Sequence, residues 1–317
     1  MTPISRRTAL QALGLAVAAP FSRAWAASPE PALNFLAVGD WGRAGAFHQA
    51  DVAARMGETA RALDARFVIS VGDNFYEDGV QSVTDPQWKA SFEDIYTAPS
   101  LQVPWHVILG NHDYRGNSQA QLDYAVTSPR WRMPARWYSL AETAPDGTTA
   151  QFFMLDTSPF VRAYYADGGV KTKVVGQDTK AQLAWFEAAL AQSTADWKIV
   201  VGHHPIYSNR QQDSGDLSAD SVGSVEGLDP ILQRFRVPLY INGHDHELQH
   251  VARGATHYVC TGAGSKMHKT CDVEGRDFCS LQSGFTAFSL TRKTLKVAYR
   301  DYTGAELKVV DIPRPTA

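Results

Sequence analysis

Five times in this chain a short apolar run ends in glycine, and the next residue carries a side chain able to bind a metal. The pairs are Gly39-Asp40, Gly72-Asp73, Gly110-Asn111, Gly202-His203 and Gly243-His244. A glycine at such a place lets the backbone turn sharply and approach its neighbours where a Cβ would obstruct. The following side chain is then aimed off the end of the run. If the runs are strands of an α/β fold, their ends gather at the carboxyl edge of a sheet, where such folds place ligands. A single aspartate after a strand is ordinarily a turn former or a helix cap. Five endings of this kind point to one metal site.

The donors are of mixed type. Asp40, Asp73, Tyr76 and Asn111 offer hard oxygen, His203, His244 and His246 offer imidazole, and no cysteine takes part. That set suits iron, zinc or manganese better than calcium. The other histidines, His48, His106, His250, His257 and His268, lack the glycine-ligand context and read as surface or packing residues.

Compact β-branched and aromatic runs alternate with helical patterns, the mark of an α/β chain. Strands are predicted over 33–38, 67–71, 105–109, 152–155, 198–201 and 239–241, each so continuously apolar that both faces are buried. Helical spacing covers 46–63 and 179–192, the latter burying Leu183, Phe186 and Leu190. Further strands at 257–260, 285–290, 295–299 and 307–312 are predicted to pair antiparallel, with a turn at Thr303-Gly304. The polar stretch 208–227 is too hydrophilic for a core and is expected beside the site. The eight tryptophans read mostly as core, with Trp41 expected to wall the pocket because it follows Asp40.

At 317 residues and 44% hydrophobic the chain has ample material for a globular core. A formal charge of −3 without blocks of like charge argues against a nucleic-acid-binding surface or an anionic membrane and for a small ligand or protein substrate. Ser5-Arg6-Arg7-Thr8 precedes an apolar stretch over 9–20 and the small-x-small site Ala24-Trp25-Ala26. The pattern is that of a twin-arginine signal peptide, 1–26, ahead of a single domain, 27–317. It makes the twin-arginine translocation machinery a partner and the bacterial periplasm or exterior the destination. A general secretory signal or a membrane anchor are the alternatives, although the run is short of the ~20 residues that span a bilayer. In an oxidising compartment Cys271 and Cys279 could close a short loop, while Cys260 reads as a buried strand residue, with the pairing left open.

Gly39-Asp40-Trp41-Gly42, Gly72-Asp73-Asn74-Phe75-Tyr76, Gly110-Asn111-His112-Asp113, Gly202-His203-His204-Pro205 and Gly243-His244-Asp245-His246 together resemble the five motifs of the purple acid phosphatases, in order and spacing. The likeness is to the small, mammalian-type (tartrate-resistant) group and covers nearly all of 27–317. It extends to Asn117-Ser118-Gln119-Ala120-Gln121, Arg130-Trp131, 153–157 and 182–185.

The resemblance implies an α/β metallophosphoesterase four-layer sandwich, two mixed β-sheets face to face flanked by helices. It implies a ferric ion bound by Asp40, Asp73, Tyr76 and His246, and a divalent ion (iron, zinc or manganese) bound by Asp73, Asn111, His203 and His244, with Asp73 bridging. The wider metallophosphoesterase group has a histidine two residues after the first aspartate. Here Gly42 stands there and Tyr76 supplies the missing ligand, a phenolate that favours ferric iron and colours it. Two ions about 3.5 to 4 Å apart clamp a phosphate and supply a metal-bound hydroxide for in-line attack.

The expected activity is phosphomonoester hydrolysis at acid pH, with His112 protonating the departing alcohol and Asp113 steadying its imidazole. The family's second non-ligand histidine has no counterpart in 207–213, and His204, at a position that is tyrosine in the mammalian enzymes, is the substitute candidate. The competing expectations are a phosphodiesterase or nucleotide hydrolase on the same site, and a non-catalytic phosphate- or iron-binding protein.

Overall fold

The computed structural model describes residues 31–166, 168–208, 225–268 and 277–315. The segment 1–26 predicted to be a signal peptide, Cys271 and all but the ends of the 208–227 stretch lie outside the described residues.

Strand Leu33–Val38 sits in the middle of the first of two seven-stranded sheets. On one side it pairs parallel with Phe67–Ser70, which leads on through Trp105–Val107 to Trp131–Arg132. On the other it pairs antiparallel with Gly284–Leu290, followed by Thr294–Asp301 and Glu306–Pro313. The second sheet runs Phe278–Ser280, Leu248–Arg253, Thr256–Thr261, Leu239–Asn242, Trp197–Val201, Thr149–Met154 and Tyr138–Thr143. Its four strands from Thr256–Thr261 to Thr149–Met154 are mutually parallel.

Alternation along the central strand explains the layering. Leu33, Phe35 and Ala37 face the second sheet and meet Phe152, Met154, Ile199, Val201, Leu239 and Ile241 in the core between the sheets. Leu36 and Val38 face the other way, onto Val52, Met56 and Ala60 of helix Gln49–Leu63. The second sheet turns Phe153, Val200 and Tyr240 outward onto helices Thr179–Gln192 and Asp229–Arg234. The result is helix, sheet, sheet, helix, the predicted four-layer sandwich of two mixed sheets.

Several expectations need adjustment. The third strand leaves the ladder at Val107, and Ile108 and Leu109 remain buried beyond it. Of the late strands predicted to pair with one another, Thr256–Thr261 instead lies in the second sheet, parallel to Leu239–Asn242 and antiparallel to Leu248–Arg253, a strand the sequence did not reveal. Strands Gly284–Leu290, Thr294–Asp301 and Glu306–Pro313 pair antiparallel in the first sheet as expected. In helix Thr179–Gln192 the buried residues are Gln182, Phe186 and Leu190, with Leu183 half-buried. Gln182 goes inside because its amide clamps the Asp156 peptide, accepting from its N–H at 2.9 Å and donating to its carbonyl at 3.0 Å. Trp41 is fully buried among Phe75, Phe92 and Tyr96, its Nε1 donating to Ser70 Oγ at 2.8 Å, so it supports the site from beneath and walls no pocket. Cys260 is buried and free, and Cys279 is disulfide-bonded. Among the described residues no helix is long and apolar enough to cross a membrane.

Candidate metal centre

All five glycine-ligand pairs lie at the carboxyl ends of parallel strands, three on the first sheet and two on the second, so the donors face one another across the seam. The glycines are needed for space. A Cβ on Gly110 would stand 2.2 Å from Asp73 Oδ1, and one on Gly243 would stand 2.4 Å from Asp40 Oδ2. The left-handed turn itself falls largely on the ligands, with φ of 60° at Asp40, 49° at Asp73 and 68° at His244. Backbone of that kind in non-glycine residues is stored strain and gathers at functional sites.

Two donor groups form. In the first, the Tyr76 hydroxyl lies 3.0 Å from Asp40 Oδ1, 3.1 Å from Asp73 Oδ2 and 3.0 Å from His246 Nε2. One phenolic proton cannot serve two carboxylates and an imidazole lone pair. In the second, Asn111 Oδ1 lies 3.2 Å from His203 Nε2 and 3.0 Å from His244 Nδ1. His203 Nδ1 sits 2.8 Å from the Val71 carbonyl, which only accepts, so in the neutral ring Nε2 turns a lone pair toward Asn111 and toward Asp73 Oδ1 at 3.5 Å. Acceptors that crowd together in this way fit a cation in each group, with Asp73 reaching both.

Electrostatics agree. Burial opposes charge on Asp73, yet His203 and His112 beside it hold its carboxyl well below 3.8. Burial likewise opposes charge on His203, and Asp73 overrides it, raising the ring to about 9. Burial, with Asp40 and Asp73 adding their negative charge, holds the Tyr76 phenol well above 10, so a phenolate there calls for a cation. Another buried imidazole, His204, lies within ligand reach of His203 and His244.

His112 is at the rim, its side chain 16% exposed, with Nε2 4.0 Å from Asp73 Oδ2. Its Nδ1 lies 2.5 Å from the Glu77 carbonyl and 2.8 Å from Arg115 Nη1. Asp113 does not hold it. That carboxylate turns inward and accepts from the backbone N–H groups of Asn74, Phe75 and Gly110 and from the Gln121 amide, tying two ligand-bearing loops together. His204 is wholly buried, with Thr157 Oγ1 2.9 Å from Nδ1 and the Tyr164 hydroxyl 2.9 Å from Nε2.

Reasoning from sequence missed His268. Its ring stacks on His246 with centroids 4.4 Å apart and planes 4° from parallel, and its Nδ1 accepts the His246 N–H at 3.0 Å. Twenty-two residues separate the two, and no local pattern announces the contact.

The model for the calcineurin-like phosphoesterase family matches residues 33–248. Purple acid phosphatase 4 of Arabidopsis thaliana is 38% identical, over 89% of this chain and 84% of its own length. Human tartrate-resistant acid phosphatase type 5 is 33% identical, over 90% of this chain and 92% of its own. Among solved structures, the Plasmodium protein GAP50, described as the anchor in the inner membrane complex, superposes with a TM-score of 0.75 at 26% identity, covering 90% of each chain. A yellow lupin purple acid phosphatase shares the fold at a TM-score of 0.64 and 17% identity, over 89% of this chain and 54% of its own. With a phosphoesterase model spanning most of its length and relatives of this identity along nearly all of it, the chain belongs to the purple acid phosphatases, metal-dependent phosphomonoester hydrolases of the calcineurin-like fold.

Proposed function

We propose that the chain hydrolyses phosphomonoesters at a centre of one ferric and one divalent ion (iron, zinc or manganese). Asp40, Asp73, Tyr76 and His246 would hold the first, and Asp73, Asn111, His203 and His244 the second. The observation that carries this is the Tyr76 hydroxyl, met within 3.1 Å by two carboxylates and an imidazole. When bound, the two ions supply Lewis acidity to the phosphate oxygens and to the attacking water.

The chain's own residues do the positioning. The His112 N–H holds Asp73 Oδ1 at 2.8 Å and the His244 N–H holds Asp40 Oδ2 at 3.1 Å, fixing carboxylate orientation. The Val71 carbonyl sets the His203 tautomer, as outer partners of metal-bound histidines do. In the imidazolium form of His112, Nδ1–H faces the Glu77 carbonyl and the Nε2 proton is the one given to the leaving alcohol. His204, between the hydroxyls of Thr157 and Tyr164, takes the second proton-handling place.

The substrate is a small phosphoester or a phosphoprotein. The Arg6-Arg7 pair ahead of an apolar run supports export by the twin-arginine machinery to the periplasm or beyond. Lysine at both positions should keep the protein in the cytoplasm, and unchanged export would overturn that route.

Metal analysis, a visible spectrum and a phosphoester panel test the chemistry. A coloured protein with one iron per site and faster release from aryl monoesters than from bis-aryl diesters, peaking at acid pH, is expected. A colourless zinc-only protein would remove the ferric assignment, and diester preference or a maximum well above neutrality would remove the acid monoesterase. The likeness to a structure described as an anchor favours a second, non-catalytic reading. Metal-loaded protein that binds phosphate and releases none from any ester would establish it.

A further inference from the structure

The segment between Asp40 and helix Gln49–Leu63 is built with unusual backbone. Ala44, Phe47 and His48 have φ of 51°, 53° and 66°, in the left-handed region that side chains avoid. Strain of this sort persists only where surroundings over-determine it. Here the buried Gln49 side chain accepts from the N–H of Arg43 at 3.0 Å and of Gly45 at 2.8 Å, and donates to the Ser91 carbonyl at 2.8 Å. Ser91 Oγ accepts from the Ala44 N–H at 3.0 Å.

What the pinned segment holds in place is Arg43. Its guanidinium carbon lies 3.7 Å from the centroid of the Tyr76 ring, and its Nη1 pairs with the carboxylate of Glu77, the residue after Tyr76. The side chain is 9% exposed. Phe47 lies on from Arg43, its centroid 5.7 Å from the same carbon, and His112 packs against Tyr76 with centroids 4.5 Å apart. A cation at this distance over an aromatic face interacts with the ring's π electrons, more strongly when water is excluded.

We propose that Arg43 is a positioning and tuning residue for Tyr76: its guanidinium, locked over the ring, withdraws electron density from the phenolate and so sets the energy of the colour band of the ion that Tyr76 binds. Arg43's role rests on the ferric phenolate proposed above. Donation from ring to metal becomes easier as the ring becomes richer in electrons. Taking the positive charge from the ring face therefore moves the band to lower energy.

The test is the visible spectrum of metal-loaded Arg43→Met and Arg43→Lys beside the unaltered protein. Arg43→Met should shift the band to longer wavelength. Arg43→Lys should fall between the two, since the ammonium keeps the charge but lacks the planar stack. If Arg43→Met fails to retain iron, Arg43→Gln, which keeps a planar polar group but not the charge, carries the same test, and a longer wavelength is again expected. Variants that hold iron and absorb at the unaltered wavelength, weaker or not, would reduce Arg43 to a structural part and overturn the tuning. A colourless unaltered protein would instead sink the ferric phenolate, and the tuning with it.

Discussion

A Cβ on Gly42 would stand 2.0 Å from the carbonyl oxygen of Asn74. The loop carrying Tyr76 is laid directly on that glycine, with the Tyr76 N–H donating to the Gly42 carbonyl at 3.0 Å. A histidine at position 42 and a tyrosine ligand at position 76 are therefore alternatives on steric grounds. Gly42→Ala should lift the loop, destabilise the fold by roughly 1–3 kcal/mol as overpacking does, and weaken the colour band. Thermal unfolding and the visible spectrum together check this. An unaltered spectrum would show the loop to be tolerant.

Tyr76→Phe keeps the ring beneath Arg43 and deletes only the oxygen. Asp40, Asp73 and His246 then lose their common partner. Colour should vanish and iron affinity should fall by about 10- to 100-fold or more, the range seen for losing even a supporting group. Iron content after dialysis reads this directly.

His268→Ala removes the plate behind His246 and the acceptor of its N–H. Metal affinity should fall by about 10- to 100-fold, while turnover at saturating metal stays near that of the parent. A metal titration followed by activity separates the two effects. Lost turnover at full occupancy would place His268 in the chemistry itself.

His112→Ala should slow alkyl phosphates by about 10²- to 10⁴-fold and nitrophenyl phosphate much less, since only the poor leaving group needs a proton. His204→Ala, measured in parallel, should show a smaller effect of the same kind. Equal, small effects on both substrates would remove both residues from proton transfer.

Burial, with His257 beside it, lowers the His250 ring from 6.5 to about 4. His250 Nε2 lies 2.9 Å from His257 Nδ1, and Asp277 stands on its other side at 3.3 Å. Between pH 6.5 and 4 the unfolded chain takes up a proton that the native ring refuses, so stability falls as pH falls through that window. The His250 contribution is about 3 kcal/mol at most. Burial raises Asp156 to about 7, and it acts with the opposite sign over the same range. Comparing the pH dependence of melting with that of His250→Gln isolates the histidine, and the variant should lose less stability on acidification.

Legibility in the sequence followed physical cause. The five strand ends could be read because each combines a mostly apolar run with a glycine followed at once by a metal-capable side chain. Helix Thr179–Gln192 was found to its ends because Asp178 caps it, accepting from the Ala181 N–H at 2.9 Å. Strand Leu248–Arg253 escaped because Gln249 and His250 are polar yet buried, which breaks the apolar run. Tyr138–Thr143 escaped because it is an edge strand with mostly exposed or half-buried side chains. Asp113 and His268 act through contacts distant in sequence or turned inward, and side-chain direction is not written in spacing.

The placement of the donors along the chain also orders events during synthesis. A nascent chain that has reached Asn111 owns all the oxygen donors and none of the imidazoles, which come only with His203, His244 and His246. The central strand Leu33–Val38 waits longer still, since its antiparallel neighbour is Gly284–Leu290. An ion met early finds carboxylates with no geometry to hold it. The full set of donors therefore exists only once synthesis has passed His246, so the site is a late product of the chain although its first ligand is the early Asp40.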